Sequence, residues 1–163
     1  MRTIVLGVGN PLRTDDAVGL HVARLVAERL AGHPEIDVLE LWTGGLSLAE
    51  AMAGYDRALV VDALVAGATP AGSVQRLGLA DLGAARNLAC AHDTSLPGAI
   101  ETWRELGLHL PGSIVVFGVA THDTETLGER LSAPVAGALG AACDAVVAEL
   151  LESGPVVAAG ERP

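Results

Sequence analysis

Four residues carry the side chains best suited to chemistry: Asp15 and Asp16, adjacent in "GVGNPLRTDDAVG", Asp62 inside the apolar run "ALVVDAL", and His92 in "CAHDTSL". Asp16, Asp62 and His92 together would offer two carboxylate oxygens and one imidazole nitrogen. That donor set suits a borderline divalent transition metal and leaves coordination positions open for a substrate or water. The simpler reading of an aspartate at a helix start is a cap, which accounts for one of Asp15 and Asp16 and leaves the other unexplained. Asp62 is harder to dismiss, since a carboxylate in an apolar strand must be paired, metal-bound or at the strand's exposed end. His92 alone would read as a satisfied loop histidine. Cys90 beside it has no marks of a thiolate nucleophile and is expected to be buried. "HDT" also occurs a second time, at His122–Thr124, so spacing alone leaves two histidines open as the third ligand.

The glycine-rich opening invites a dinucleotide reading that fails twice. The third glycine of G-x-G-x-x-G would fall at Leu12, so close helix–strand packing at that point is not encoded. Two carboxylates at the helix start would also repel a pyrophosphate. A cation is the better guest. No H-E-x-x-H spacing is present, so ordinary zinc-protease chemistry is not indicated.

The elements that must position these residues follow from patterning. Thr3–Val8 is a short apolar run ended by glycine, as in a strand buried on both faces. A helix follows, capped by Asp15 or Asp16, with Val18, Val22, Leu25 and Val26 as its inner stripe. "IDVLELW" is a second strand, "LSLAEAMA" a short helix, and Arg57–Leu64 a third strand with Asp62 at its end. "GSVQRLGL" is a weaker strand. Thr94 or Ser95 begins a helix with Pro97 in its first turn. "SIVVFGVA" is the last buried strand, followed by Thr121, His122 and Asp123. Ser132 and Pro134 open a closing helix carrying Val135, Leu139, Ala142, Val146 and Leu150. The alternation predicts an α/β fold, a doubly wound and largely parallel sheet with helices on both faces, formed as a single domain over residues 1–151. Residues 152–163 read as a loose tail. Ligands of such sheets bind beyond the carboxyl ends of the strands, which is where Asn10, Asp15, Asp16, Asp62 and Thr121–Asp123 fall and where the loop holding His92 can reach.

Composition narrows the function. The 163 residues suffice for one domain with a real core. Half of them are apolar, and the aromatics are only two Trp, one Tyr and one Phe, so small aliphatics must make that core. A net charge of −10 with no basic stripe argues against nucleic acid. Cys90 and Cys143 have no paired spacing for zinc or a disulfide framework, which fits a reduced cytoplasm. The opening apolar run is too short for a signal peptide or a membrane span. Physical reading alone ends at a cation-binding α/β domain with hydrolytic potential.

The stretches "IVLGVGNPLRTDDAVG", "ALVVDAL", "HDTSL" and "FGVATHDTETLGERLSAPV" resemble, in order and spacing, the hydrogenase maturation endopeptidases, over about residues 1–151. That family trims a carboxyl-terminal extension from the precursor large subunit of nickel-iron hydrogenases. The resemblance implies a metal-interacting set of Asp16, Asp62 and His92, with Asp15 free to cap the helix, and it favours His92 over His122. It implies that the metal is the nickel already placed in the precursor, with no cofactor bound tightly by the protease. The expected partner is that precursor, with no nucleic acid or membrane involved and the protease itself a monomer. Competing classes are a nickel-delivery module without protease activity and a small-molecule hydrolase. Two departures stand out: Ala17 replaces the glycine that many relatives have after the acidic pair, and the family's D-G-G-T-x-G loop is here "ELWTGG", with Leu41 and Trp42 in place of two glycines. That loop is expected to help select the precursor.

Overall fold

The computed structural model describes residues 1–65, 67–83 and 96–152. Strand β1 (Thr3–Val8) leads through a 3-10 turn at Asp15–Ala17 into α1 (Val18–Arg29). Then come β2 (Ile36–Leu41), α2 (Leu46–Ala51), β3 (Arg57–Val65), β4 (Val74–Gly78), α3 (Leu96–Glu105), β5 (Ser113–Thr121) and α4 (Ala133–Glu152). The strands form one sheet in the order β2-β1-β3-β5-β4. All neighbours are parallel except β4, which runs antiparallel along the outer side of β5. The expected doubly wound α/β architecture is therefore present. His92 and Cys90, the expected helix start at Thr94 or Ser95, and the tail beyond Glu152 lie outside the described residues.

The two faces have separate cores. Val5, Leu59, Val61, Val115 and Phe117 pack with Val18, Val22 and Val26 of α1 and Val135, Ala142 and Val146 of α4. Ile4, Leu6, Val60 and Val116 pack on the other face with Leu48 of α2 and Ile100 of α3. Each fully buried aliphatic of this size contributes about 1.5–3 kcal/mol relative to exposure. The central strands are buried on both faces, which explains why their sequences are near-continuous apolar runs. By length and composition α4 could cross a bilayer, but here it packs against α1 and β5 as a core helix.

Glycine sets how closely α1 approaches the sheet. A Cβ at Gly19 would lie 2.3 Å from the carbonyl oxygens of both Val8 and Val61. The first turn of α1 therefore sits directly on the carboxyl ends of β1 and the middle of β3, and only a residue without a side chain allows it.

Candidate active site

Strand β1 pairs with β2 on one side and β3 on the other. Its outgoing helix α1 covers one face, while the α2 that follows β2 covers the other. This reversal is the topological switch point, where α/β sheets leave a crevice beyond the strand ends. Asp16 and Asp62 both belong to it.

Asp16 lies in the 3-10 turn, 8% exposed, and the turn packs against β3. Its Oδ2 accepts the Asn10 N–H at 2.9 Å. Gly9 makes this possible: its φ is +154°, and a Cβ there would stand 1.9 Å from the Asp16 carbonyl oxygen. The loop leaving β1 folds back on its own glycine and brings the carboxylate over the strand end.

Asp62 is fully buried. It is not the last residue of its strand, as the sequence pattern suggested, because β3 continues to Val65. It is nonetheless at an edge. The β1–β3 register ends at Gly7↔Val61, so Asp62 is the first residue of β3 past that pairing, while its other side remains paired opposite Gly118 of β5. Its Oδ1 accepts the Ala63 N–H at 2.8 Å. Strand alternation puts Asp62 on the face of Val60 and Leu64, the face covered by α3. The segment with His92 leads into that helix.

Asp15 departs from expectation. The turn has Thr14 at its N-cap position and no side-chain cap hydrogen bond, so Asp15 does not cap the helix that it opens. Buried at 2% exposure, it turns instead toward the β5–α4 connection. Its Oδ1 accepts the Ser132 N–H at 2.7 Å, and its Oδ2 accepts the hydroxyls of Ser132 at 2.8 Å and Thr121 at 2.9 Å. Ser132 immediately precedes the 20-residue α4, so a buried carboxylate meets the positive end of a long helix. The adjacent aspartates thus point to different tasks, with Asp15 compensated by α4 and Asp16 turned to the β1 loop.

The backbone reinforces this junction. Arg13 and Leu127 form an isolated antiparallel bridge, flanked by Thr14 N–H to Thr126 O and Gly128 N–H to Leu12 O, both 3.0 Å. The residues after β5 shape this loop. Asp123 Oδ1 accepts the N–H groups of Glu125 and Thr126, and hydrogen bonds from Thr126 and then Glu125 hold its carboxyl below the usual range. The exposed His122 places Nε2 3.0 Å from the carbonyl oxygen of Thr69 in the β3–β4 connection. That contact makes Nε2 the protonated nitrogen, leaving only Nδ1 able to ligate.

The rim is apolar. Leu12, Trp42 and Leu127 are 61%, 68% and 78% exposed, and the Gly9 N–H to Leu41 O bond, 3.1 Å, ties the β2 end that carries Trp42 to the β1 loop. Glu40, the acidic start of "ELWTGG", is gripped by Arg24 through Nε–Oε1 at 2.8 Å and Nη2–Oε2 at 2.6 Å. The Arg24 hydrogen bonds hold its carboxyl below the usual range. Among the described residues no three His, Cys, Asp or Glu side chains gather as a metal set; the expected third member, His92, is not one of them. Sequence reasoning missed the Thr121 and Ser132 donors to Asp15. Their only signal was a threonine ending the last strand and a serine opening the last helix.

Comparison with known proteins gives concordant findings. A family described as hydrogenase maturation protease matches residues 20–149. The hydrogenase 2 maturation protease of Escherichia coli is 30% identical over 156 residues, covering 94% of this chain and 93% of the relative. The hydrogenase expression/formation protein HupD of Rhizobium leguminosarum is 28% identical, over 97% of this chain and 78% of its own. Among solved structures, the hydrogenase maturating endopeptidase HybD from E. coli superposes with a TM-score of 0.77 at 29% identity, covering 94% of both chains. The [NiFe] hydrogenase maturation protease HybD from Thermococcus kodakarensis gives 0.69 at 26% identity, over 93% of this chain and 99% of that one.

Proposed function

We propose, from the premise that this chain belongs to the hydrogenase maturation protease family, that it removes the carboxyl-terminal extension of a nickel-iron hydrogenase large-subunit precursor after nickel has been inserted. Its place in the family makes it a peptidase. The finer reading concerns the metal and the residues. The nickel arrives as part of the substrate and faces Asp16, Asp62 and His92, which position the scissile bond beside it. A dication there offsets the charge of two buried carboxylates. It can polarise the scissile carbonyl or lower the pKa of a bound water.

The observation that carries this reading is the pairing of Asp16 with Asp62 at one switch point. The turn bearing Asp16 packs on β3, and Asp62 directly follows the last β1–β3 pair. His92, from the chain leading into α3, supplies the third donor, as the resemblance to the family implies, and His122, whose Nε2 is held by Thr69, is left to the loop after β5. The exposed rim of Leu12, Trp42 and Leu127 receives the precursor around the metal, with Trp42 selecting the partner. The protease acts in the cytoplasm as a monomer, on protein alone.

The test is to treat the protease with a chelator, remove the chelator, and mix it with nickel-loaded or nickel-free precursor. Undiminished shortening of the loaded form and none of the empty form is the expected result. Activity lost on stripping, with nickel-free precursor cleaved after remetallation, would assign the metal to the protease. A precursor left whole under every condition, with nickel nevertheless transferred, would indicate a delivery module.

A further inference from the structure

We propose that Asp15 is a positioning residue: it latches the β1–α1 turn to the start of α4 and thereby fixes the direction of the Asp16 carboxylate. The inference rests on the reading of Asp16 as nickel-facing and adds a residue to which that reading gave no part beyond a helix cap. Asp15 receives three donors on two oxygens, the Ser132 N–H and the hydroxyls of Ser132 and Thr121. They come from the two ends of the β5–α4 connection, more than 100 residues away in sequence. Capping its own turn would require none of them. Because Asp16 is the next residue, a rotation of the turn that released Asp15 would rotate Asp16 with it and break its hydrogen bond from the Asn10 N–H.

The second fastening is the backbone bridge at Arg13↔Leu127. It holds the loop in register but runs before the turn, so it does not fix the turn's own rotation. The Asp15 carboxylate supplies that restraint, and the N-terminus of α4 compensates its charge without drawing on a metal. Asp16, turned to the β1 loop where it accepts the Asn10 N–H, is then held in one direction toward the substrate's nickel. Misplacing a positioned group by about 1 Å can lower turnover on the order of 100-fold. Asp15→Ala should therefore lower kcat on nickel-loaded precursor about 100-fold and leave KM within about threefold, since the rim of Leu12, Trp42 and Leu127 does not depend on this carboxylate. Asp15→Asn should recover most of the activity, because a carboxamide oxygen can accept the Ser132 N–H and its NH2 can donate to the two hydroxyl oxygens.

The experiment measures kcat and KM of Asp15→Ala, Asp15→Asn and Asp16→Asn well below their melting temperatures. Amide hydrogen exchange of the substrate-free proteins is followed at Asn10 and, as an internal reference, Leu6. The proposal expects faster exchange at Asn10 in Asp15→Ala, unchanged exchange at Leu6, a kcat-only defect, and rescue by Asp15→Asn. If Asp15→Ala does not fold, the double variant Thr121→Val with Ser132→Ala removes two of the three donors and should show the same pattern at about tenfold. Wild-type kcat in Asp15→Ala or in that double variant, or an Asn10 amide still protected in either, would overturn the proposal alone. Wild-type cleavage by Asp16→Asn would overturn the reading of Asp16, and with it any catalytic purpose for the latch.

Discussion

The Asn10 amide and the Asp16 carboxylate close the β1–α1 loop on itself at 2.9 Å, six residues apart in sequence. The loop is thus held by the very group proposed to face nickel, and a substitution at Asp16 must be judged on both counts.

An amide satisfies the structural half and fails the chemical one. In Asp16→Asn and Asp62→Asn the side-chain oxygen can still accept the Asn10 or Ala63 N–H, and neither change opens a cavity. Each variant should lose precursor cleavage by about 1,000-fold or more, as expected when a charge facing the reacting centre is removed, while Tm moves by no more than about 5 °C. Cleavage is scored as loss of the extension on a gel and Tm by calorimetry. A variant that melts far below the wild type and cleaves normally when cold would assign these carboxylates to folding.

Gly19 offers the opposite test, of scaffold without chemistry. The two carbonyl oxygens at 2.3 Å from its absent Cβ are backbone and have no flexible side chain to yield. Gly19→Ala should destabilise by about 3 kcal/mol, whereas Gly140→Ala, with open space around it on α4, should be neutral or stabilising by up to about 1 kcal/mol. Urea unfolding midpoints measure both, and equal midpoints would contradict the close approach.

Much of this was legible in the sequence because a parallel sheet buried on both faces writes its strands as continuous apolar runs. Thr3–Val8 reads as a strand and is one, and Arg57–Leu64 differs from the observed strand only by Val65. The weak signal at "GSVQRLGL" reflects an edge strand, half-buried over Val74–Gly78. Asp16 and Asp62 could be singled out because a carboxylate beside apolar residues is conspicuous. The task of Asp15 could not be read, since its partners are 106 and 117 residues distant and serine and threonine at element ends are too common to mark a pairing. The switch-point position of Asp62 depends on where β1 stops relative to β3, which is a matter of register.

Glu149 governs a pH dependence remote from the site. It joins α4 to the opposite end of the sheet, accepting from Arg57 at 2.6 Å and Arg76 at 2.7 Å, and the Arg57 side chain is only 6% exposed. The Arg76 hydrogen bond first, with the nearby charges of Arg76 and Arg57, holds the Glu149 carboxyl below its ordinary value of 4.5. A folded-state pKa below the unfolded one means that the pair's stabilisation is fully present above about pH 4.5 and is lost as pH falls through the folded value. Glu149→Gln should cost about 1–3 kcal/mol at pH 7. Its Tm deficit should shrink between pH 5 and pH 3, and a deficit that stays constant over that range would show that the ion pair is not its source.

The duplicated tripeptide gives the decisive comparison between histidines. His122 is exposed and donates Nε2–H to Thr69; an alanine there gives up one solvent-accessible hydrogen bond, worth about 0.5–1.5 kcal/mol, and no ligand. His92 precedes α3 in sequence, and α3 covers the face of the sheet that Asp62 shares with Val60 and Leu64. His92→Ala should therefore abolish removal of the extension from nickel-loaded precursor, and His122→Ala should keep at least about half of it, since only a hydrogen bond remote from the reacting centre is lost. The two variants are to be compared side by side at equal folded concentration. The reverse ranking would move the third ligand to the loop after β5. There His122 would ligate through Nδ1 while Nε2 keeps its hydrogen bond to Thr69.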